Sequence, residues 1–263
     1  MQHKITSLLF IACTAFFMAC GGGSSEEQQA QQINTDQFSF AENNGSITLP
    51  SGFQAIVVAD SVGSARQVTV DQDGDIYVAL DEPQNGNGIA ALRDEDGDGV
   101  ADSVAYFGDY TGTGIALHNG YLYFAPDSAV MRYSMNGADL VPTSEPEWVV
   151  SELPIQNSHA AKPITFDGNG NMYVNVGAPS NACQEQSRTP ESPGQRPCPL
   201  LEWHGGIWQF DANGMNQTQK RRWYTLCHWN PKCSCTGVEF HGRQSVPGPA
   251  WSRSTVAALA LPL

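Results

Sequence analysis

The chain has 263 residues, of which 41% are hydrophobic and 10% aromatic, enough apolar material for one large domain or two small ones. Its formal net charge is −14 at pH 7, from 13 Lys and Arg against 27 Asp and Glu. A chain with this charge would not neutralise phosphates, which excludes a nucleic-acid partner, and an acidic surface fits a soluble protein outside the cytoplasm.

Residues 1–20 have the composition of a targeting segment. Lys4 gives a positive start, and the apolar run over 8–18 is too short to span a membrane. The Phe-Met-Ala-Cys sequence that ends at Cys20 resembles the processing box of bacterial lipoproteins, in which the cysteine carries the lipid. We predict a lipoprotein signal peptide over 1–20 and a flexible Gly-, Ser-, Glu- and Gln-rich tether over 21–46. The alternative is a plain signal peptide in which Cys20 is incidental.

This targeting segment places the protein in the bacterial cell envelope, as a periplasmic or outer-membrane lipoprotein. The lipid would be its only contact with a membrane, because the apolar run is removed with the signal peptide.

A strand–turn–strand pattern recurs from Ile47 onward. The segments 68–79, 115–125 and 163–176 each combine an alternating strand, a tight turn containing Asn or Asp with Gly, and a second strand that carries a Tyr. A further strand ends each unit. Repeats of about 45 to 50 residues without a helical period are typical of a β-propeller. A β-sandwich is the alternative, but it does not require the same turn and Tyr in every unit.

Only three such units are visible, whereas propellers close with roughly four or more blades. The sequence therefore predicts an all-β fold, a partial β-propeller of about three blades over residues 47–220.

A dense carboxylate loop lies after the first unit. Asp94, Asp96 and Asp98 alternate, Gly99 permits a sharp turn, and Asp102 falls where a later ligand would. Ca²⁺ takes roughly six to eight oxygen ligands, often from one loop, although this loop lacks the Glu that completes the usual calcium pattern. We predict that the four aspartates bind a structural Ca²⁺. The alternative is an acidic surface turn between strands.

Two cysteines, Cys183 and Cys198, flank a stretch rich in Pro, Ser and Gln. In an oxidising compartment this arrangement predicts a disulfide that closes a loop. The alternative is a pair of free thiols.

His159 lies just before the third hairpin. A histidine in the loop that enters a propeller strand faces the central channel, and an imidazole is the natural general base near neutral pH. Taken alone, this is weak evidence, because most single histidines are structural.

The segment from His159 to Cys183 resembles the sorbosone dehydrogenase branch of the soluble quinoprotein glucose/sorbosone dehydrogenases. The resemblance rests on HAAKPITF, which begins at His159, and on GNMYVNVGAPSNAC, which ends at Cys183. It implies a six-bladed propeller that binds pyrroloquinoline quinone (PQQ) and calcium, oxidises sugars or sugar aldehydes and passes electrons to an acceptor. It also implies that His159 takes the proton of the substrate hydroxyl while hydride goes to the quinone C5. The alternative function is a non-catalytic propeller that binds a partner or a glycan on its rim.

Residues 221–263 depart from the hairpin pattern. Their codons, back-translated and read one base later, permit the phrases TGIRNAVAL and QHGRDQL, which resemble the next signatures of the same family. We predict a frameshift near residues 220–223 and an aberrant tail over 221–263, so that the Arg-Asn pair that would contact the quinone is absent and the chain as written is inactive. The alternative is a zinc module, whose ligand spacing is not met here; its candidate ligands are Cys227, His228, Cys233, Cys235 and His241.

Overall fold

In the computed structural model the fold is described for residues 35–219 and for two strands that follow them. These residues form β-strands joined by turns and short 3-10 helices, so the all-β prediction is confirmed. The 3-10 helices span Glu42–Ser46, Asn181–Cys183 and Pro199–Glu202. The strands, in chain order, are β1 (Phe53–Val57), β2 (Ala65–Val70), β3 (Ile76–Gln84), β4 (Asn87–Arg93), β5 (Ser103–Phe107), β6 (Gly114–His118), β7 (Tyr121–Ala125), β8 (Val130–Ser134), β9 (Glu147–Ser151), β10 (Ile164–Phe166), β11 (Asn171–Val176), β12 (Gly206–Asp211), β13 (Gln217–Thr218), β14 (Thr225–His228) and β15 (Ala258–Pro262).

Three sheets follow one another along the chain, and each consists mainly of consecutive antiparallel strands. The first has the order β2-β3-β4-β5, the second β13-β9-β8-β7-β6 and the third β10-β11-β12-β14. The short β13 returns to the edge of the second sheet, where it pairs parallel with β9. Three successive sheets of this kind confirm the predicted partial propeller of about three blades.

The hairpin turns of the first and third sheets are built on one aspartate each. The Asp71 carboxylate accepts hydrogen bonds from the backbone N–H groups of Asp73 and Asp75, both at 2.9 Å. Asp167 repeats the arrangement in the third sheet and also accepts the Tyr173 hydroxyl hydrogen bond at 2.9 Å. An Asp side chain that accepts hydrogen bonds from the N–H groups of the following residues favours a tight turn. The Asp at the start of the turn therefore recurs in these two hairpins.

Apolar side chains fill the space between consecutive sheets. Tyr77 and Ile89 of the first sheet pack with Phe124 of the second in one cluster of buried residues. Val149 of the second sheet packs with Met172 of the third in another. Burial of each such side chain contributes about 1.5–3 kcal/mol relative to its exposure, so the contact between neighbouring sheets is where the fold gains its stability.

A buried tyrosine hydroxyl links the second and third sheets. Tyr123 donates to the Ala212 carbonyl at 2.8 Å and accepts from Arg132 Nη1 at 3.3 Å. The Arg132 guanidinium also donates to the Glu147 carboxylate at 2.8 Å and lies 4.0 Å from the ring centroid of Tyr121. The hydroxyl of Tyr123 thus finds polar partners while its ring fills the core.

Glycines occur where neighbouring segments touch backbone to backbone. A Cβ atom on Gly88 would lie 1.8 Å from the Tyr110 carbonyl oxygen, and one on Gly114 would lie 2.2 Å from the Lys162 carbonyl oxygen. In both pairs the glycine belongs to a sheet and the carbonyl belongs to a connection between sheets. No side chain fits at either position.

The segment that precedes β1 packs against the acidic loop. Ser39 donates its backbone N–H to the Asp98 carbonyl at 2.8 Å and its hydroxyl to the Asp98 carboxylate at 2.6 Å. The Ala41 N–H donates to the Ala55 carbonyl at 2.9 Å. The part of the predicted 21–46 tether from residue 35 onward is therefore folded, because its polar groups find partners on the acidic loop and on β1.

Several predictions for the two ends of the chain fall outside the described residues. These are the signal peptide over 1–20, the lipidated Cys20 and most of the tail over 221–263. Of the tail, β14 pairs with β12 and β15 pairs with β1. The side chains of the candidate zinc ligands in the tail also lie outside the described part. Within that part, no helix is long and apolar enough to cross a bilayer.

Candidate functional site

His159 lies in the connection between β9 and β10, which joins the second sheet to the third. Its ring is exposed, and its backbone has a φ of +56°, in the left-handed region that few side chains favour. Nδ1 lies 2.6 Å from the Ala178 carbonyl oxygen. Because a carbonyl can only accept, Nδ1 carries the hydrogen, and in the neutral ring Nε2 is therefore the nitrogen with the lone pair. The ring is thus held in a tautomer that can accept a proton at Nε2.

A buried glutamine fixes the backbone of this connection. Gln156 Nε2 donates to the carbonyl oxygens of Ser158 and His159, both at 2.8 Å, and of Gly177 at 3.1 Å. Gln156 is only 8% exposed. A Cβ atom on Gly177 would lie 2.4 Å from the His159 carbonyl oxygen, so the two backbones are in contact there. No sequence pattern indicates Gln156, because its acceptor at Gly177 lies 21 positions away and comes close only in the folded chain.

A lysine and a second histidine form a polar interior near this connection. Lys162 is fully buried, and its ammonium donates to the Ala160 carbonyl at 2.5 Å. Burial lowers the pKa of Lys162. Burial also lowers the pKa of His204, and the nearby charge of Lys162 adds to that effect. His204 Nδ1 and Gln156 Oε1 are buried without a hydrogen-bond partner among the described residues.

The structure joins Cys183 to Cys198 in a disulfide, with Cα atoms 5.9 Å apart, inside the usual range. The loop that they close lies between β11 and β12. Arg188 on this loop donates from Nη2 to the Ser158 hydroxyl at 2.9 Å. The disulfide-closed loop therefore contacts the connection that carries His159. The two segments are about 30 positions apart, so the sequence alone does not indicate this contact.

The acidic loop lies between β4 and β5 of the first sheet, apart in the chain from the connection that holds His159. Carboxylate oxygens of Asp94, Asp96 and Asp102 lie within 4.8 Å of one another, as donors to one cation would. Asp98 is not in this group: its carboxylate accepts from the Val100 N–H and, unlike the other three, from the Ser39 hydroxyl of the preceding segment. The Ser39 hydrogen bond is the main reason why the pKa of Asp98 is lowered. Three of the four predicted ligands therefore converge, and the fourth faces Ser39.

The three converging aspartates suit a hard cation in their chemistry. Oxygen donors from one flexible loop are what Ca²⁺ prefers. No ion pair with a described basic residue neutralises them; the ion pairs of the described part join Arg66 to Asp81, Arg93 to Asp75 and Arg132 to Glu147.

The chain matches no protein-family model and no curated protein. Among solved structures it is similar to the PQQ domain of pyranose dehydrogenase from Coprinopsis cinerea, with a TM-score of 0.53 and 15% identity over 68% of this chain and 41% of that one. It is also similar to a carbohydrate-active enzyme of family AA12 from Trichoderma reesei, with a TM-score of 0.52 and 15% identity over 65% of this chain and 42% of that one. A calcium structure of the same enzyme gives a TM-score of 0.52 at 14% identity.

The chain thus spans less than half the length of these structures. At 14–15% identity the similarity concerns the fold alone. A propeller fold of this kind is what the resemblance of the sequence to the quinoproteins predicts. The described sheets share their fold with part of the PQQ domain of pyranose dehydrogenase and part of the family AA12 enzyme.

Proposed function

We propose that the chain is the front part of a PQQ-dependent sugar dehydrogenase of the glucose/sorbosone type, in which His159 is the general base. The observation that carries this proposal is the His159 ring, exposed and held by the Ala178 carbonyl so that Nε2 is free to accept a proton. The fold shared with the PQQ domain of pyranose dehydrogenase supports it. The substrate would be a sugar or sugar aldehyde, and a separate acceptor would take the electrons.

The described residues supply only part of a site for the quinone. PQQ, when bound, would accept the hydride, and as an anion it needs cationic partners. Lys162 is fully buried and the arginines of the first two sheets are ion-paired, which leaves Arg188 and Arg196 as the unpaired Lys or Arg side chains over 35–219. We assign the remaining cationic contact of the quinone to the Arg-Asn pair that the proposed frameshift removes.

What this chain itself contributes is proton transfer. His159 Nε2 accepts the proton of the substrate hydroxyl, and the Nδ1–H bond to the Ala178 carbonyl stabilises the cation that forms. Gln156 and Gly177 keep the ring in place while its charge changes.

The proposal is tested by an assay of two proteins, the chain as written and a full-length version with the frame restored. Each is assayed with PQQ, Ca²⁺ and a dye acceptor on several aldoses and on sorbosone. We expect turnover from the restored protein only, because each missing charge-assisted hydrogen bond to the quinone is worth about 1.5–3 kcal/mol and hydride transfer needs near-contact geometry.

Turnover by the 263-residue chain would refute the truncation. A silent restored protein would refute the dehydrogenase assignment and favour the non-catalytic binding propeller.

We also propose that the acidic loop binds one structural Ca²⁺ through Asp94, Asp96 and Asp102, with Asp98 contributing once it leaves Ser39. Asp96→Asn is expected to weaken Ca²⁺ binding by about tenfold or more, since it removes one of the converging charges. Isothermal titration calorimetry of the chain with Ca²⁺ measures this. Asp73→Asn, which removes an exposed charge from a hairpin turn, is the matched control. Equal affinities of the two variants, or no uptake of Ca²⁺ at all, would rule out the site.

Anchoring through a lipid on Cys20 is a proposal of its own, supported by the sequence of the first twenty residues. Cys20→Ala is expected to move the protein from the membrane fraction to the soluble fraction, because the remaining residues offer no apolar span. Fractionation of cells that express each form measures it. If the variant stays with the membrane, Cys20 is not the anchor.

A further inference from the structure

Arg188 brings a cationic side chain to the connection that carries the proposed base. Its Nη2 donates to the hydroxyl of Ser158, the residue that precedes His159 in the chain. Ser158 is itself held by Gln156, so the guanidinium is attached to the same fixed connection as the imidazole. Both side chains are exposed and are thus accessible to a ligand from solvent.

The other basic side chains of the described part are neutralised, buried or elsewhere. Arg66, Arg93 and Arg132 form ion pairs, and Lys162 is fully buried. Arg188 and Arg196 have no ion pair among the described residues, and both lie on the loop closed by Cys183 and Cys198. The Lys and Arg residues over 35–219 are Arg66, Arg93, Arg132, Lys162, Arg188 and Arg196. The chain has a net charge of −14, so positive side chains are few. An arginine without an ion pair on the connection of the proposed base is therefore a candidate for binding an anionic ligand.

The loop that carries Arg188 is held at several points. The Arg188 N–H donates to Gln184 Oε1 at 3.1 Å, and Gln184 Nε2 donates to the Thr189 carbonyl at 3.0 Å. Gln184 also forms a backbone bridge with Gly194, and the disulfide closes the loop next to it. A loop fixed in this way presents the guanidinium at a defined position, which lowers the entropic cost of binding a ligand.

We propose that Arg188 binds a carboxylate of the ligand that reacts at His159, so that the preferred substrate is an acidic sugar. The proposal rests on the proposed function and deepens it. A planar guanidinium matches a carboxylate in a bidentate geometry, and the bond to Ser158 leaves most of its donors for a ligand. Without a local cation, the net negative charge of the protein would repel such a substrate.

The test measures binding to the 263-residue chain and does not need catalysis. Glucuronate is titrated while the ring hydrogens of His159 are followed by NMR, with His159→Gln used to assign them. Arg188→Gln is expected to weaken glucuronate binding by about tenfold or more, the effect of losing a charge-assisted hydrogen bond. Arg188→Lys should recover part of that loss. Arg196→Gln, on the same loop, is the matched control and should bind as the parent chain does.

Two further ligands, glucose and PQQ, show whether Arg188 binds a carboxylate of the sugar or one of the cofactor. Glucose, which has no carboxylate, should bind equally to the parent chain and to Arg188→Gln. If Arg188→Gln, made in the frame-restored protein, loses the binding of PQQ but keeps that of glucuronate, Arg188 belongs to the cofactor and the acidic-sugar proposal is overturned. It is also overturned if glucuronate does not shift the His159 signals, or if Arg196→Gln weakens binding as much as Arg188→Gln.

These outcomes are independent of the dehydrogenase assay. A silent frame-restored protein refutes the proposed reaction, whereas the titration reports on the binding of a sugar acid beside His159.

Discussion

The His159→Ala variant of the frame-restored protein is expected to lose about 10²–10⁴-fold in kcat, the usual contribution of a general base. The ring is held by the bond from Nδ1 to the Ala178 carbonyl, and its Nε2 has no partner among the described residues. Its removal takes away the proton acceptor and leaves the surrounding fold in place, because the side chain is exposed. The measurement is the steady-state rate over a range of pH.

The pH profile distinguishes a base from a structural histidine. His159→Gln keeps a polar side chain but cannot take up a proton, so the acidic limb of the kcat/KM profile should disappear in both variants. His118→Asn is the matched control, because His118 stacks on Phe166 at 4.2 Å in another part of the fold. This control should keep the acidic limb. If His159→Ala retains the full rate, His159 is not the base.

The Gly114→Ala variant is expected to lower the free energy of unfolding by about 1–3 kcal/mol, the usual cost of overpacking. The added Cβ would lie 2.2 Å from the Lys162 carbonyl oxygen and 2.9 Å from the Ala125 Cβ. Neither atom can rotate away, so β6 or the connection that carries His159 must move. Urea unfolding measures the change as a lower midpoint at an unchanged m-value.

Gly168→Ala provides the matched control for this substitution. A Cβ on Gly168 meets no atom within 4 Å, and its φ lies outside the left-handed region. Its unfolding midpoint should equal that of the parent chain. If Gly114→Ala also unfolds at the parent's midpoint, the close contact between Gly114 and Lys162 is absent in solution.

The repeating sheets were predictable because their signal is local. Asp71 and Asp167 bind the backbone two and four residues further along, so each turn is encoded within a few positions. The alternating strands on both sides of the turn then bury one face against the neighbouring sheet. A pattern of this kind can be read from one stretch of sequence at a time.

Within the candidate site, sequence patterns indicate only those residues that belong to a motif. His159 stands out through its neighbours in sequence, whereas Gln156 acquires its role from Gly177, which lies 21 positions away. Asp98 was expected to join the other aspartates, but it bonds to Ser39, 59 positions earlier. Contacts between segments so far apart leave no periodic trace in either segment, so sequence patterns could not reveal them.

The close contacts at Gly88 and Gly114 also limit how this protein can recombine with its relatives. Each contact joins a glycine in one sheet to a carbonyl in the next connection, at Tyr110 and at Lys162. In a chimaera whose crossover falls between the glycine and its carbonyl partner, the two come from different parents. If the other parent has a side chain in place of the glycine, that side chain would clash with the carbonyl of the connection. Crossovers inside the first and third hairpin turns, for example at Gly74 or Gly168, where an added Cβ would meet no atom within 4 Å, separate neither pair, whereas a crossover at Gly120 would separate Gly114 from Lys162. The unit that can be exchanged between such proteins is therefore offset from the sheets, and it runs from the first hairpin turn to the third.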